Sequence, residues 1–299
     1  MTTLLCLGFG YCALHYVAEF GSRFERVIGT ATTPDKARRL AASGVARRPV
    51  EALVFAETRA DPALTAAIAS ADALLVSIPP EESGDPALAA CGSTLAAAKK
   101  LASIVYLSTI GVYGDHAGRW ADETTPPAPL SPRSVARLAA ENAWRELGVR
   151  SAKPVAVLRL AGIYGPGQNA LRQVASGTAK RIVKPGQIFN RIHVADIAQA
   201  IDAAFSRHAD GVFNVSDDEP APSADVVAFA AELLGRPLPP EVPFTEAAVG
   251  MSPLALSFYS ESKRAANVRI KHELGVCLRY PTYREGLRAL YAAGDHMKA

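Results

Sequence analysis

Apolar residues in this chain fall in short, nearly continuous runs separated by alanine-rich stretches with helical spacing. The runs Thr3–Leu7, Arg26–Thr30, Ala73–Ile78, Ile104–Ser108 and Val155–Leu160 have the length and density of strands covered on both faces. Between them the pattern predicts helices over Cys12–Phe20, Pro34–Ser43, Pro62–Ala69, Pro86–Ala102 and Pro132–Leu147. A shorter strand near Val45–Val50 or Leu53–Phe55 belongs to the same series. The helix at Pro132 is well delimited: Ser131 can cap it, Pro132 suits its first turn, and Gly148 follows its last. The alternation predicts an α/β fold with a doubly wound parallel sheet.

After Gly165 the pattern changes. A strand–helix unit at Ile192–Phe205 and a strand at Val212–Val215 return to the sheet series, and the chain from Pro220 is helical, broken at Pro237–Pro243 and Pro253. The expected division is a core domain over 1–168, with returns near 190–216, and a smaller lobe over 169–299.

Charge and composition narrow the picture. The formal net charge is +3 with no concentrated run of Lys or Arg, which argues against nucleic-acid binding. Four scattered cysteines without a Cys-x-x-Cys pair, and histidines without ligand spacing, argue against a metal site or a disulfide framework and fit a reducing, cytoplasmic setting. The N-terminus lacks a positive region and reads as a buried strand, not a leader. No apolar stretch reaches the roughly 18 residues of a membrane helix.

The chemistry starts at Gly8-Phe9-Gly10-Tyr11-Cys12-Ala13, which follows the first strand and opens a helix. In that context G-x-G-x-x-A is a dinucleotide-binding turn. The first glycine permits the turn, the second lets a pyrophosphate reach the backbone, and the small third residue brings helix and strand together. The competing reading is an ordinary strand-to-helix turn. The acid expected about 20 residues on, for the ribose 2′-hydroxyl, is missing. Thr30, Ala31 and Thr32 end the second strand instead, and Lys36, Arg38 and Arg39 follow. Hydroxyls tolerate a 2′-phosphate where a carboxylate repels it, so NADP is expected over NAD. The same three cations also read as the exposed face of the next helix.

The chain resembles the extended short-chain dehydrogenase/reductases, the NAD(P)-dependent epimerase/dehydratase group, and specifically their atypical members. The glycine turn carries the resemblance, with Tyr106–Gly114, Asp122–Pro126, Arg159–Gly167, Arg191–Ile197, Phe213–Pro220 and Tyr280–Leu287, in the family's order along essentially the whole chain. It implies a Rossmann domain that carries the cofactor and a small C-terminal lobe that encloses a small-molecule substrate, in a chain that could form a homodimer. By similarity, Ser77, Ile78 and Pro79 line the nicotinamide ribose, Ser108 and Thr109 stand beside the reacting carbon, and Ala161, Gly162 and Ile163 pass near the nicotinamide.

The family's Tyr-x-x-x-Lys aligns with Arg133 and Arg137, so both positions are changed. Arg137 can still donate to the ribose. Arg133 cannot act as a general acid, because a guanidinium stays protonated. It either holds an anionic substrate group or is a surface residue. Tyr113 is the first candidate for handling the proton, against a packing role. Ser108 and Thr109 can orient a carbonyl or simply end the strand, and a relayed water is an equal alternative. His193 reads as a substrate contact or, more readily, a helix cap beside Asp196. Arg191, where the lobe meets the core, can meet an anion. Cys12 reads as a small buried residue within the turn.

Two functions follow. One is an NAD(P)-dependent oxidoreductase or epimerase-like enzyme acting on a small polar or sugar-type substrate. The other is a non-catalytic NADP(H)-binding sensor.

Overall fold

The computed structural model describes residues 2–56 and 61–297. In chain order the strands are β1 (Thr3–Leu7), β2 (Arg26–Ala31), β3 (Glu51–Val54), β4 (Ala73–Val76), β5 (Ser103–Thr109), β6 (Trp120–Ala121), β7 (Val155–Leu160), β8 (Gly162–Tyr164), β9 (Arg181–Val183), β10 (Arg191–His193), β11 (Gly211–Val215), β12 (Glu241–Pro243) and β13 (Arg264–Ala265). The helices are α1 (Tyr11–Phe20), α2 (Pro34–Ser43), α3 (Pro62–Ser70), α4 (Pro86–Ala97), α5 (Pro132–Ser151), α6 (Ala170–Ala175), α7 (Val194–Ser206), α8 (Ser223–Leu233), α9 (Phe244–Ala247), α10 (Pro253–Tyr259), α11 (Val268–His272) and α12 (Tyr283–Ala292).

The central sheet is parallel, in the order β11-β7-β5-β4-β1-β2-β3. Each of its inner strands is buried on both faces, which is why the sequence shows runs rather than alternation. On one face Tyr16, Val17, Ile197 and Ile201 pack from α1 and α7; on the other Leu64, Ile68, Leu95 and Trp144 pack from α3, α4 and α5. A third cluster, including Leu171, Val174, Val227, Phe229 and Leu287, forms the core of the C-terminal lobe. The doubly wound fold expected from the pattern is the fold observed. No helix among the described residues is long and apolar enough to cross a membrane.

Two local expectations fail for identifiable reasons. Helix α4 stops at Ala97, not Ala102, because Leu101 turns back into the core ahead of β5. Helix α5 runs through Gly148 to Ser151 and ends on Ala152 in the left-handed conformation. Gly148 is a contact residue instead of a terminator. A Cβ there would lie 2.6 Å from the Val155 side chain and 2.7 Å from the Lys153 carbonyl.

Candidate active site

The sheet order reverses between β1 and β4, and the crevice beyond the carboxyl ends of such a pair is where open α/β sheets bind ligands. Gly8 and Ser77 end these two strands and are tied to each other: Ser77 Oγ donates to the Gly8 carbonyl at 2.9 Å. From the other side the Gly8 N–H donates to Thr30 Oγ1 at 2.8 Å. Gly8 has φ +84°, and a Cβ on it would meet Ser77 Oγ at 2.8 Å, so the turn requires glycine twice over. Gly10, the N-cap of α1, differs. Its φ is −89° and no atom lies within 4 Å of the Cβ it lacks. The space in front of Gly10 is one that a side chain would fill, at the N-terminus of α1, where the first helical N–H groups have no partner within the helix.

The residues after the turn are divided in their duties. Tyr11 crosses to the lobe, its hydroxyl donating to the Pro166 carbonyl at 2.9 Å. Cys12 and Ala13 are buried against the sheet, and burial pushes the Cys12 thiol up to about 11, which keeps it a protonated packing group. Thr30 is buried and occupied by Gly8, whereas Thr32 is exposed, with Lys36 Nζ 3.4 Å from its hydroxyl. Thr33 caps α2 and Arg38 pairs with Asp35.

At the end of β5, Ser108 is buried and its hydroxyl donates to Glu141. Glu141 is itself held by Arg159 at 2.7 Å, and both are buried. The Arg159 guanidinium lies 4.7 Å from the centre of the Tyr113 ring, and the Tyr113 hydroxyl donates to Asn214 Oδ1 at 2.8 Å. Tyr113 is wholly buried. It is therefore a packing residue with a satisfied hydroxyl, which corrects its candidacy as a proton donor. Thr109 is half-buried and its hydroxyl accepts from the Gly111 N–H at 3.1 Å. Ile78 remains partly exposed beside Ser77, with Pro79 exposed after it.

Helix α5 aims its arginines differently. Arg137 reaches β5, donating to the Leu107 carbonyl at 2.9 Å and the Tyr106 hydroxyl at 3.0 Å. Arg133, one turn earlier, is exposed and has no hydrogen-bond or ion-pair partner among the described residues. Beyond β7, Ala161 donates its N–H to the Val215 carbonyl, and Gly162 and Ile163 pair with Arg191 and Ile192.

His193 is a helix cap. Its Nδ1 accepts from the Ala195 N–H at 3.1 Å, and its ring is enclosed by Tyr164 and Tyr280 with centroids 5.1 and 4.2 Å away. Of the two readings of His193, substrate contact and helix cap, the geometry fits the cap and not the contact. Burial, reinforced by His15 and Arg279, pulls its pKa down to about 4. The unfolded chain takes up this proton near pH 6.5 and the folded one only near 4. Stability is thus complete above pH 6.5 and lost as pH falls towards 4, by up to about 3 kcal/mol. His193→Asn keeps a capping side chain and is expected to flatten the acid limb of urea-unfolding stability against pH; an unchanged limb would refute the assignment.

Several residues of this region escaped the reading of the sequence. Glu141 and Arg159 had a signal, since an arginine inside the apolar run Val155–Leu160 needs a buried partner. Asp217 and Tyr283, both buried in the lobe, had none.

Residues 87–216 match the model of the NAD dependent epimerase/dehydratase family. A functionally unknown conserved protein from Silicibacter pomeroyi is 45% identical, covering 98% of this chain and 99% of its own, with a TM-score of 0.86. A 3-diazoavenalumate denitrifying reductase from a Streptomyces species is 32% identical over 144 residues; the match spans 44% of this chain and 45% of that enzyme, less than half its length. A UDP-glucuronic acid 4-epimerase from Bacillus cereus, solved with NAD, shares the fold at 18% identity, 97% and 98% coverage and a TM-score of 0.72. The match to the NAD dependent epimerase/dehydratase family thus covers residues 87–216, and over nearly its whole length the chain is similar to the Silicibacter protein of unknown function.

Proposed function

We propose that the chain is a nicotinamide-dependent oxidoreductase that binds NADP in preference to NAD and acts on a small, polar, anionic substrate. The observation that carries the reading is the shaped glycine turn at the switch point, fixed by Thr30 and Ser77 and open in front of Gly10. Gly8, Gly10, Tyr11, Cys12 and Ala13 would hold the pyrophosphate through backbone N–H groups. Ser77, Ile78, Pro79 and Arg137 would hold the nicotinamide ribose, and Ala161, Gly162 and Ile163 would flank the ring. Bound there, the nicotinamide gives or takes a hydride.

The chain's own contribution to the reaction is orientation and charge. By the resemblance, Arg133 and Arg137 would take the positions of the family's tyrosine and lysine. Arg133 donates hydrogen bonds to developing negative charge without giving up a proton. Thr109 orients the reacting group, Ser108 serves through the Glu141 network, and water supplies the proton.

The preference for NADP rests on Thr32 and Lys36. Titration followed by nicotinamide fluorescence is expected to give tighter binding of NADPH than NADH, and Lys36→Ala should weaken NADPH about tenfold, a loss of ~1.4 kcal/mol, without affecting NADH. Equal affinities would sink the preference, and no binding of either dinucleotide at millimolar concentration would sink the reading as a whole. The sealed Tyr113 favours a second reading, an NADP(H) sensor without turnover. Tight NADPH binding, unaffected by Arg133→Ala and with no oxidation across aldehydes, ketones and nucleotide sugars, would select it.

A further inference from the structure

The C-terminal lobe holds a half-buried cation that forms no ion pair among the described residues. Arg191 sits at the start of β10, and its Nη1 donates to the carbonyls of Phe189 at 3.1 Å and Ala221 at 3.0 Å. The Phe189 and Tyr283 rings lie on its flanks, their centres 6.0 and 5.8 Å from the guanidinium carbon. No carboxylate among the described residues forms an ion pair with it. The acids whose charge reaches it are Asp225 and Asp217, and the Asp217 backbone N–H donates to the Arg191 carbonyl. Burial pushes the Asp217 carboxyl up to about 8 against the pull of Arg191, and its Oδ2 has no hydrogen-bond partner, so the two side chains are not joined in a salt bridge. Guanidinium does not escape by losing a proton. A half-buried guanidinium without an ion-pair partner, at the wall of a cavity, favours a negative group that joins it there.

The space for that partner is present. Arg191 and Tyr283 line a cavity of about 490 Å³ between β8, α6, α8 and α12, within the usual range for a small-molecule site. Tyr283 is 1% exposed and its hydroxyl has no hydrogen-bond partner, an independent sign of a missing ligand atom. The walls combine the apolar Ile163, Val226 and Leu287 with the polar Gln168, Gln173 and Ser223. With Nη1 committed to carbonyls, the remaining guanidinium edge offers Nε and Nη2, which suit two oxygens of a planar carboxylate.

We propose that this cavity recognises the carboxylate of a compact organic acid, held by Arg191 with the Tyr283 hydroxyl as an added donor. The proposal rests on the oxidoreductase reading above for calling that acid the substrate, but the binding site stands on its own geometry. Ile163, shared between the cavity wall and the strand beyond β7, connects the site to the cofactor side of the molecule.

The test is calorimetry and thermal shift on the full-length protein, with and without NADPH, using 3-phenylpropanoate, isovalerate, 3-phenylpropanamide, UDP-glucose and inorganic phosphate. Saturable binding of a carboxylate, absent for the amide, is the expected result, and it needs no variant. Arg191→Gln should then weaken that acid about 30-fold, and Tyr283→Phe by a smaller factor. Equal binding of acid and amide, failure of both acids at 10 mM (about a hundredth of molar), or tighter binding of UDP-glucose or phosphate would overturn the proposal. NADPH titration in the same samples separates the two ideas. Acid binding without NADPH binding leaves the site and removes the oxidoreductase, whereas the reverse removes only the site.

Discussion

Gly10→Val is expected to weaken dinucleotide binding by at least about 100-fold, some 2.7 kcal/mol or more, while leaving the fold nearly as stable. No protein atom lies within 4 Å of the Cβ that the substitution adds, and φ of −89° accommodates any residue. The cost to the protein is limited to a poorer N-cap, on the order of 1 kcal/mol. The cost to a ligand is the whole of its approach to the backbone. Gly8→Ala is the contrasting variant. Its positive φ alone costs an alanine about 1–2 kcal/mol, before the collision with Ser77. It should lower the urea midpoint as well as the affinity. The measurements are fluorescence titration with NADPH and urea unfolding of both variants. A Gly10→Val protein that binds normally would show that the opening is not a phosphate site.

The second large effect belongs to stability. Glu141→Ala removes the partner of Arg159 and leaves a buried guanidinium among Tyr113, Ser108 and the sheet. The expected loss is about 3–5 kcal/mol. Replacing both charges, as Glu141→Leu with Arg159→Met, should recover most of it, because two apolar side chains carry no desolvation penalty. A loss under about 1 kcal/mol for the single variant would mean that water reaches the pair and compensates it.

The sequence was informative where one residue type performs one physical task. Continuous apolar runs mean doubly covered strands, so the sheet and its order of helices could be read directly. The glycine turn could be read because few other arrangements put two glycines between a strand and a helix. The rest was hidden where a residue's task depends on a partner distant in the chain. Tyr113 looks available until Asn214, from β11, meets its hydroxyl. His193 looks reactive until Tyr164 and Tyr280 close over it. Gly148 looks like a helix end until Val155 occupies the space of its missing side chain. Arg191 could be suspected of meeting an anion from its place between lobe and core, but that no described residue forms an ion pair with it is visible only in three dimensions.

Thr30 has a bearing on how such a protein can be redesigned. Its hydroxyl receives the Gly8 N–H and so holds the turn from beneath. A position that commonly chooses between two cofactors is here part of the frame. Installing an acid at that point to favour the unphosphorylated dinucleotide would change a structural joint together with the selectivity, and the two effects could not be adjusted separately. An engineer seeking to exchange one electron carrier for the other should leave Thr30 alone. The place to work is the exposed pair Thr32 and Lys36, where a new side chain faces solvent and disturbs no joint.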